Sequence, residues 1–320
     1  MRLRQVPNCG LTVSLVGLGC NNLGGRLDAE SSVALVRHAL DRGITLFDTA
    51  DIYPLGKPGV SEECLGRGLG DRRKYVVVAT KFGKPMDQGN TLRGASRRYI
   101  AQAVEASLKR LGTDWIDLLQ IHEPDPATPI EETLRALDDL IREGKVRYIA
   151  CSNFPAWRVV EAQWTARHHN LNGFVACQDE YSLVHRALDR ELAPVLTEYR
   201  LGLLPFFPIA GGLLTGKYAG RSIPKGSRFD KAPVFQDLFL TEEKLRLVGE
   251  LQAFCAKRGK SLVELAFSWL ARRPFVSSVI AGASTPAQVE QNVRAVGWEL
   301  TADDMTEIDR LTLPTERPRH

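Results

Sequence analysis

The feature that most constrains the fold of this chain is a regular alternation of short apolar runs with longer amphipathic runs. The apolar runs are nearly continuous and lack a polar–apolar alternation, which is typical of parallel strands covered on both faces. There are eight of them, at Leu15–Leu18, Ile44–Phe47, Val76–Ala79, Ile116–Ile121, Val146–Ala150, Phe174–Ala176, Leu201–Leu204 and Val276–Ile280.

The segments between these runs carry one polar and one apolar face, as surface helices do. We predict helices over 29–42, 61–70, 96–111, 130–143, 155–169, 188–199, 261–272 and 286–296. Gly43, Gly112, Gly144 and Gly202 each follow a helix and precede a strand, where a left-handed helix end favours glycine. Eight alternating strands and helices predict a closed α/β (β/α)8 TIM barrel, and we expect residues 1–320 to form this one domain.

Four segments lie outside the simple repeat. Residues 1–13 predict a small β-hairpin around Asn8-Cys9-Gly10 that covers the lower end of the barrel. Segments 241–258 and 302–311 predict two extra helices. The segment Ala210–Leu240 is too long for an ordinary connection, and such loops are usually functional or disordered.

The composition excludes several classes of protein. The 42 basic and 38 acidic residues are interleaved, so the net charge of +4 does not indicate a nucleic acid partner. The six cysteines lack metal-type spacing, so we expect reduced thiols and no metal. No apolar run approaches the length of a membrane span, and the turn Pro7–Gly10 argues against a signal peptide. We expect a cytoplasmic protein, whose oligomeric state the sequence leaves open.

Polar residues follow several of the apolar runs. Asp48 and Tyr53 come after the second run, Lys81 after the third and His122 after the fourth. The fifth and sixth runs lead into Ser152, Asn153 and Gln178. Each residue alone has an ordinary structural explanation, as a cap or a packing residue. Because catalytic residues of such barrels sit where strands end at their carboxyl side, the combination predicts an active site.

The chemistry of carbonyl reduction explains this combination. A tyrosine with a pKa of about 10 is a poor proton donor at neutral pH. A cation about 4 Å away stabilises the tyrosinate by roughly 4 kcal/mol at an effective dielectric of 20, or up to about three pKa units before desolvation. We therefore predict Tyr53 as proton donor, Lys81 as its activating cation, Asp48 as the partner of Lys81, and His122 as the group that orients the carbonyl.

These residues lie in segments that resemble the aldo-keto reductase superfamily over nearly the whole chain. Gly43–Tyr53, Ala79–Lys81 and Leu118–His122 look like the tetrad segments of the family, and Asp114–Asp117 and Gly144–Arg147 look like its flanking segments. The resemblance is to the bacterial-type and channel β-subunit-like branch. It implies a hydride transfer between a nicotinamide cofactor and a small aldehyde, ketone or sugar.

The resemblance also implies cofactor-binding positions along the rim. These are Gly19, Cys20, Asn21, Ser152, Asn153, Gln178, Phe206, Phe207, Pro208, Ile209, Gly211, Lys217, Arg228, Gly282, Ser284, Gln288, Gln291 and Asn292. Ser152, Asn153 and Gln178 match positions that hold the carboxamide of the nicotinamide. Phe206 stands where a Tyr or Trp usually stacks on the ring, whereas Phe207 replaces a serine that usually lies beside the phosphates.

Two motifs bear on the phosphates. Gly211–Tyr218 looks like the strap that family members fold over the pyrophosphate, with a disordered basic loop as the alternative. Gly282–Asn292 looks like the adenosine-end motif, but Ser284 and Gln288 are uncharged where many relatives place a cation for the 2′-phosphate. Because Arg228 can supply charge, NADP(H) is favoured and NAD(H) is the alternative. Gly17-Leu18-Gly19 lacks the third glycine of a Rossmann fingerprint.

A second function stays open, that of a catalytically weak nucleotide-binding regulatory subunit similar to channel β-subunits. Those subunits replace the histidine that this chain keeps at His122. The mouth of the pocket is predicted to draw on Asn21–Arg26, Ile52, Phe82, Glu123 and Phe154. The short segment that follows His122 favours an open mouth and hydrophilic substrates.

Overall fold

The computed structural model describes residues 1–218 and 222–313. Strands β1 (Leu3–Gln5) and β2 (Thr12–Ser14) pair antiparallel as the predicted hairpin. Eight parallel strands follow, β3 (Val16–Gly19), β4 (Leu46–Asp48), β5 (Val77–Phe82), β6 (Ile116–Ile121), β7 (Val146–Ser152), β8 (Ala176–Gln178), β9 (Gly202–Leu203) and β10 (Val279–Gly282). Their order is β10-β3-β4-β5-β6-β7-β8-β9, and a parallel bridge between Leu203 and Val276 joins the two edges. The predicted (β/α)8 barrel is confirmed.

Helices surround this sheet. Within the described ranges they are α1 (Ala29–Asp41), α2 (Val60–Leu69), α3 (Arg97–Leu111), α4 (Ile130–Arg142), α5 (Ala156–His168), α6 (Leu188–Glu198), α7 (Arg228–Lys231), α8 (Val234–Phe239), α9 (Glu242–Ala256), α10 (Leu262–Arg272), α11 (Pro286–Ala295) and α12 (Ala302–Thr312). The two extra helices are present as α9 and α12. The short helices α7 and α8 were hidden from sequence reasoning because Gly, Pro and charged residues dominate their segment.

Side-chain caps fix several helix starts. Asp28 accepts a hydrogen bond from the backbone of Ser31 at the start of α1, and Ser96 caps α3 in the same way. Ser261 and Glu264 form a reciprocal capping box at the start of α10. Each cap satisfies backbone N–H groups that the helix itself leaves unpaired. The helix starts are therefore set locally.

Only β6 has the predicted bounds, and the strand starts differ most from the prediction at β4, β8 and β10. β8 runs over Ala176–Gln178 instead of Phe174–Ala176, and β10 begins at Val279 instead of Val276. An apolar run marks where the chain is buried, whereas a strand is defined by the neighbour with which it pairs. The later start of β8 brings Gln178 into the ladder, paired with Ser152 of β7.

The hairpin fills the lower end of the barrel. Val6, Leu11 and Val13 are buried and form one cluster with inward-facing strand residues such as Leu46. Gly202 at the start of β9 permits this packing, because a Cβ there would lie 2.9 Å from Cγ1 of Val6. The interior is therefore closed at this end.

No helix within the described ranges is both long and apolar enough to cross a membrane.

Candidate active site

The inner wall of the barrel changes from apolar to polar along each strand. In β4, Leu46 faces inward and is followed two residues later by Asp48. In β5, Val77 and Ala79 face inward and are followed by Lys81. Because side chains alternate between the two faces of a strand, these residues form successive layers of the same interior. The upper layer is the candidate active site.

Lys81 and Asp48 form a buried ion pair in this layer. The Nζ atom of Lys81 donates to Oδ1 and Oδ2 of Asp48, at 2.9 and 2.8 Å, and to the carbonyl oxygen of Thr49 at 2.8 Å. Burial is the largest single effect and lowers the pKa of Lys81, but Asp48, through its charge and hydrogen bonds, together with Tyr53 and Cys20 raises the pKa above its usual value. Lys81 therefore keeps its positive charge although its side chain is shielded from water.

Two amides complete the shell of Asp48. Gln120 and Gln178 donate from Nε2 to Oδ1 of Asp48, at 3.0 and 2.8 Å. Gln178 belongs to the predicted site, whereas sequence reasoning missed Gln120. The signal was the polar residue inside the apolar run of β6, two positions before His122 and therefore on the same face. These bonds hold the carboxylate in one orientation beneath Lys81.

Tyr53 lies above the ion pair. The Nζ atom of Lys81 is 5.3 Å from the centre of the Tyr53 ring, and the His122 ring is 5.7 Å away in an edge-on arrangement. The structure thus brings the phenol, the ammonium, the carboxylate and the imidazole together, as predicted.

The pKa of Tyr53 is raised in the folded chain. Burial raises this pKa most, Lys81 lowers it, and the nearby carboxylates of Asp48 and Asp51 raise it further. Lys81 therefore acts in the predicted direction. The net shift is upward because burial of the phenol disfavours the charged tyrosinate more than the ammonium of Lys81 stabilises it.

His122 is a neutral imidazole. Burial, followed by the positive charges of Lys81 and Lys84, lowers the pKa of His122 to about 2. Its Nδ1 atom is buried and has no hydrogen-bond partner in the described residues. A neutral ring in this position can donate a hydrogen bond to a carbonyl oxygen without competing with Tyr53 for the transfer of the proton.

A cleft of about 500 Å³ runs from Tyr53 and His122 along the carboxyl ends of the strands to α11. Every predicted cofactor position lines it, namely Gly19, Cys20, Asn21, Ser152, Asn153, Gln178, Phe206, Phe207, Pro208, Ile209, Gly211, Lys217, Arg228, Gly282, Ser284, Gln288, Gln291 and Asn292. The volume lies within the range of about 300–1,000 Å³ that is typical of ligand pockets. Lys81 is only 1% exposed and lies beneath this surface.

The end of the cleft beside the tetrad is built from interlocked polar groups. Ser152 donates from Oγ to the carbonyl oxygen of Gln178 at 2.8 Å. The side-chain amide of Asn153 donates to the carbonyl oxygen of His122 and to Oγ of Ser152, both at 3.0 Å. Asn153 adopts a left-handed backbone with φ of 60°, which asparagine tolerates better than most residues. These bonds fix the positions predicted to hold a carboxamide.

The long segment after β9 is folded against the cleft in its described parts, and residues 219–221 lie outside them. Gly211 and Gly212 have φ values of 65° and 113°, a conformation that glycine adopts readily. The guanidinium of Arg228 lies 5.4 and 5.1 Å from the ring centres of Phe207 and Phe235. The described parts therefore resemble a packed strap and not the alternative of a disordered loop.

The far end of the cleft meets the start of α11. The backbone N–H and the hydroxyl of Ser284 both donate to Oε1 of Gln288, at 2.7 and 3.1 Å. Asn292 donates to the carbonyl oxygen of Gly282 at 3.5 Å. The two positions where a cation was sought, Ser284 and Gln288, are thus engaged with each other.

The mouth of the cleft is only partly as predicted. Asn21 and Arg26 line it, but Phe82 and Phe154 are buried in the core between strands and helices. Phe82 turns to the helices because Lys81, its neighbour in β5, points into the barrel. Lys84 takes its place in the wall of the cleft. The mouth is therefore more cationic than the sequence indicated.

Behind the tetrad lies a second buried group of charges. Glu62 accepts hydrogen bonds from Oγ1 of Thr80 and from Nε of Arg110, both at 2.6 Å. Burial, and then the nearby carboxylate of Glu62, raise the pKa of Asp51 to about 8. Asp51 is thus a neutral acid at neutral pH, two residues before Tyr53.

A parallel barrel with a tyrosine, a lysine–aspartate pair and a neutral histidine at the carboxyl ends of its strands belongs to the class of TIM-barrel oxidoreductases. A family model described as "Aldo/keto reductase family" matches residues 15–312. The chain belongs to the aldo/keto reductase family and is an oxidoreductase of that family.

Relatives of the chain include both enzymes and channel subunits. A "Probable voltage-gated potassium channel subunit beta" from Oryza sativa subsp. japonica is 37% identical over 303 residues, covering 92% of this chain and 91% of the relative. An "Uncharacterized oxidoreductase YrpG" from Bacillus subtilis is 38% identical over 307 residues, covering 92% and 91%. A "Versiconal hemiacetal acetate reductase" from Aspergillus parasiticus is 31% identical over 343 residues, covering 98% of each chain.

Proposed function

We propose that the chain is a cytoplasmic, single-domain reductase or dehydrogenase that transfers a hydride between NADP(H) and a small aldehyde, ketone or sugar, with Tyr53 as general acid and base. The observation that carries the proposal is the position of Tyr53 between the buried ammonium of Lys81 and the neutral ring of His122. A proton donor, a cation that stabilises its conjugate base and a neutral hydrogen-bond donor are what carbonyl reduction requires.

The cleft fits a dinucleotide in charge and in shape. Lys217 and Arg228 line it, and neither has a carboxylate within 4.0 Å among the described residues. Unpaired cations on a cleft wall favour a polyanionic ligand such as a pyrophosphate. The tight turn at Gly211 and Gly212 brings the strap backbone against the cleft, and Phe206 offers a flat apolar face on its wall.

When bound, the dinucleotide supplies the hydride for the carbonyl carbon. Tyr53 donates its phenolic proton to the carbonyl oxygen, and Lys81 stabilises the tyrosinate that remains. Asp48 keeps Lys81 protonated in an interior that would otherwise favour the neutral amine. His122 orients the carbonyl oxygen by a hydrogen bond. In the direction of oxidation, Tyr53 takes the proton from the alcohol.

The cofactor preference rests on a balance of charges. Arg228 favours the additional phosphate of NADP(H), whereas the uncharged Ser284 and Gln288 leave NAD(H) as the alternative. Fluorescence titrations with NADPH and NADH at the same salt concentration measure this preference directly. We expect tighter binding of NADPH, and an equal or tighter binding of NADH would contradict the assignment.

The proposed roles are tested by Tyr53→Phe and Lys81→Met. Both variants should lose turnover of short aldehydes while NADPH titration still reports binding, because neither change removes a group that we assign to the dinucleotide. Tyr75→Phe is the matched control, since Tyr75 is 70% exposed and lies outside the cleft. Rates close to those of the unmodified chain in either test variant would refute the assignment.

The relative named as a channel subunit favours a second candidate, a nucleotide-binding regulatory subunit with weak catalysis. The two functions differ in whether an assay should detect turnover of carbonyl compounds. A steady-state assay with a panel of short aldehydes and ketones should give turnover if the enzyme function holds. Tight nucleotide binding with no turnover across the panel would favour the regulatory subunit.

A further inference from the structure

Two cations from separate loops line the same cleft as Tyr53 and His122. Arg26 lies in the loop between β3 and α1, and Lys84 follows β5 by two residues. Arg26 was predicted only as part of the mouth of the pocket, Lys84 was not predicted at the site, and the proposed function gives neither residue a role.

Close backbone packing fixes the place of Arg26. A Cβ on the preceding residue, Gly25, would lie 2.7 Å from Cβ of Pro54, which directly follows Tyr53. The loop therefore rests on the segment that carries the proton donor. Arg26 also reaches the strap, because after burial it is the next cause of a lowered pKa at Arg228.

Lys84 lines the cleft near His122. Its charge, together with that of Lys81, contributes to the lowered pKa of His122, so its field reaches the imidazole. Nζ of Lys84 is 3.5 Å from Oε2 of Glu123, and the two side chains are 37% and 43% exposed. An ion pair so open to water is weak, and Lys84 is free to bind a second anion.

The charges of the cleft are strongly unbalanced. Among the described residues, its wall carries four cations, at Arg26, Lys84, Lys217 and Arg228, and one carboxylate, that of Asp48. Asp48 is fully engaged by Lys81 beneath the surface. If Lys217 and Arg228 face the phosphates of a dinucleotide, Arg26 and Lys84 are left to act on the substrate.

We propose that the substrates of this chain are carbonyl compounds that carry an anionic group, a carboxylate or a phosphate, a few bonds from the carbonyl. This inference rests on the proposed function and adds the class of substrate to it. Arg26 presents a planar guanidinium that matches the paired oxygens of either anion, and Lys84 adds a point charge. The anion would be held at the mouth while the carbonyl lies at Tyr53.

The reaction itself is the one proposed above. A hydride forms a new C–H bond at the carbonyl carbon, the C=O π bond breaks, and the oxygen takes the proton of Tyr53. The carbonyl is reduced to an alcohol and the dihydronicotinamide is oxidised. The anionic group does not change and serves only for recognition.

Matched pairs of substrates test the inference in the full chain with NADPH. One pair is 4-oxobutanoate and its methyl ester, and the other is dihydroxyacetone phosphate and dihydroxyacetone. We expect kcat/KM to favour at least one charged member over its neutral partner by about 10-fold or more. The neutral member has no anionic group that could pair with Arg26 and Lys84. The pair with the larger ratio identifies whether the anion is a carboxylate or a phosphate.

Charge-removing variants locate the effect. Arg26→Gln and Lys84→Gln should each reduce the ratio of kcat/KM for charged over neutral substrate by about 5- to 10-fold. Arg26→Lys keeps the positive charge and should retain more of this ratio than Arg26→Gln. This difference would show that the loss in Arg26→Gln comes from the missing charge and not from misfolding. Arg246→Gln is the control, because Arg246 lies on α9 outside the cleft and should keep the original ratio.

Two results would overturn the inference. Equal kcat/KM for both members of each pair, with normal turnover of the neutral members, would contradict the substrate class and leave the proposed reductase function intact. Turnover of no carbonyl compound, with NADPH still bound, would overturn the proposed function and the substrate class together. An unchanged ratio in both glutamine variants would contradict the roles of Arg26 and Lys84.

Discussion

Lys81 donates hydrogen bonds to both carboxylate oxygens of Asp48 in an interior where Lys81 is 1% exposed and Asp48 is 4% exposed. Each charge is stable there because the other is present. The pair places a permanent cation beneath Tyr53 whose field is partly cancelled by its own partner. Asp48 and Lys81 therefore hold each other firmly in place, whereas the lowering of the Tyr53 pKa by Lys81 is moderate.

Replacing Asp48 by Asn should be strongly destabilising. The change leaves a buried ammonium without its counter-ion, and breaking such a pair costs about 3–5 kcal/mol. Urea unfolding at pH 7 measures the loss. Asp71→Asn, at an exposed position, should change the free energy of unfolding by less than about 0.5 kcal/mol. Similar values for the two variants would show that Lys81 does not depend on Asp48.

His122 should not titrate in the working range of the enzyme. Because the pKa of His122 is lowered to about 2, the ring is neutral in the folded chain at every pH from about 5 to 9. The profile of kcat/KM against pH should show no limb near pH 6.5, the ordinary pKa of histidine. A limb near pH 6.5 that disappears in His122→Asn would contradict the neutral ring.

Asp51 should make the chain less stable as the pH rises. Its pKa is raised from 3.8 to about 8, so between these values the unfolded chain has lost a proton that the folded chain still holds. Stability therefore falls through this window and levels off above pH 8. Asp51→Asn is neutral throughout, and its free energy of unfolding relative to the unmodified chain should increase by roughly 1–3 kcal/mol from pH 4.5 to pH 8.

Urea unfolding at these two pH values checks the prediction. Asp71→Asn serves again as the control, because an exposed carboxylate should give the same small offset at both values. A constant offset in Asp51→Asn would mean that Asp51 is already ionised in the folded chain at pH 4.5.

Ser284→Arg should strengthen the preference for NADPH. The residue lines the far end of the cleft beside the start of α11, where an added guanidinium can reach a 2′-phosphate. We expect the ratio of the Kd for NADH to the Kd for NADPH to increase by about 10-fold, the effect of one good charge-assisted contact. Ala287→Arg adds the same charge outside the cleft and should give a much smaller change. An equal change of this Kd ratio in both variants would indicate that the added charge acts at long range and not through a contact with the 2′-phosphate.

The sequence was sufficient for the barrel because continuous apolar strands and amphipathic helices are local patterns that the fold preserves. It also pointed to Asp48, Lys81 and His122 as neighbours, since each follows an apolar run within two residues. Gln120 was missed because it lies inside such a run, where only the alternation of side chains reveals that it faces inward. Phe82 was predicted at the mouth because the alternation of side chains along β5 was not considered. Its neighbour Lys81 occupies the inner face, so Phe82 must point to the helices.

The electrostatic balance could not be read from the sequence. The expected lowering of the Tyr53 pKa considered one cation at close range, whereas the structure adds burial and the carboxylates of Asp48 and Asp51. These contributions depend on distances and on solvent access that only the folded chain defines. The helices α7 and α8 were missed because they are short and lie in a segment rich in glycine, proline and charged residues.

The hairpin that closes the lower end of the barrel has a kinetic consequence. With Val6, Leu11 and Val13 filling that end, we expect both reactants to enter at the opposite end of the barrel. Under the proposed function, a carbonyl compound that binds after the dinucleotide would lie between it and this opening, so we expect the alcohol to leave before the dinucleotide is exchanged.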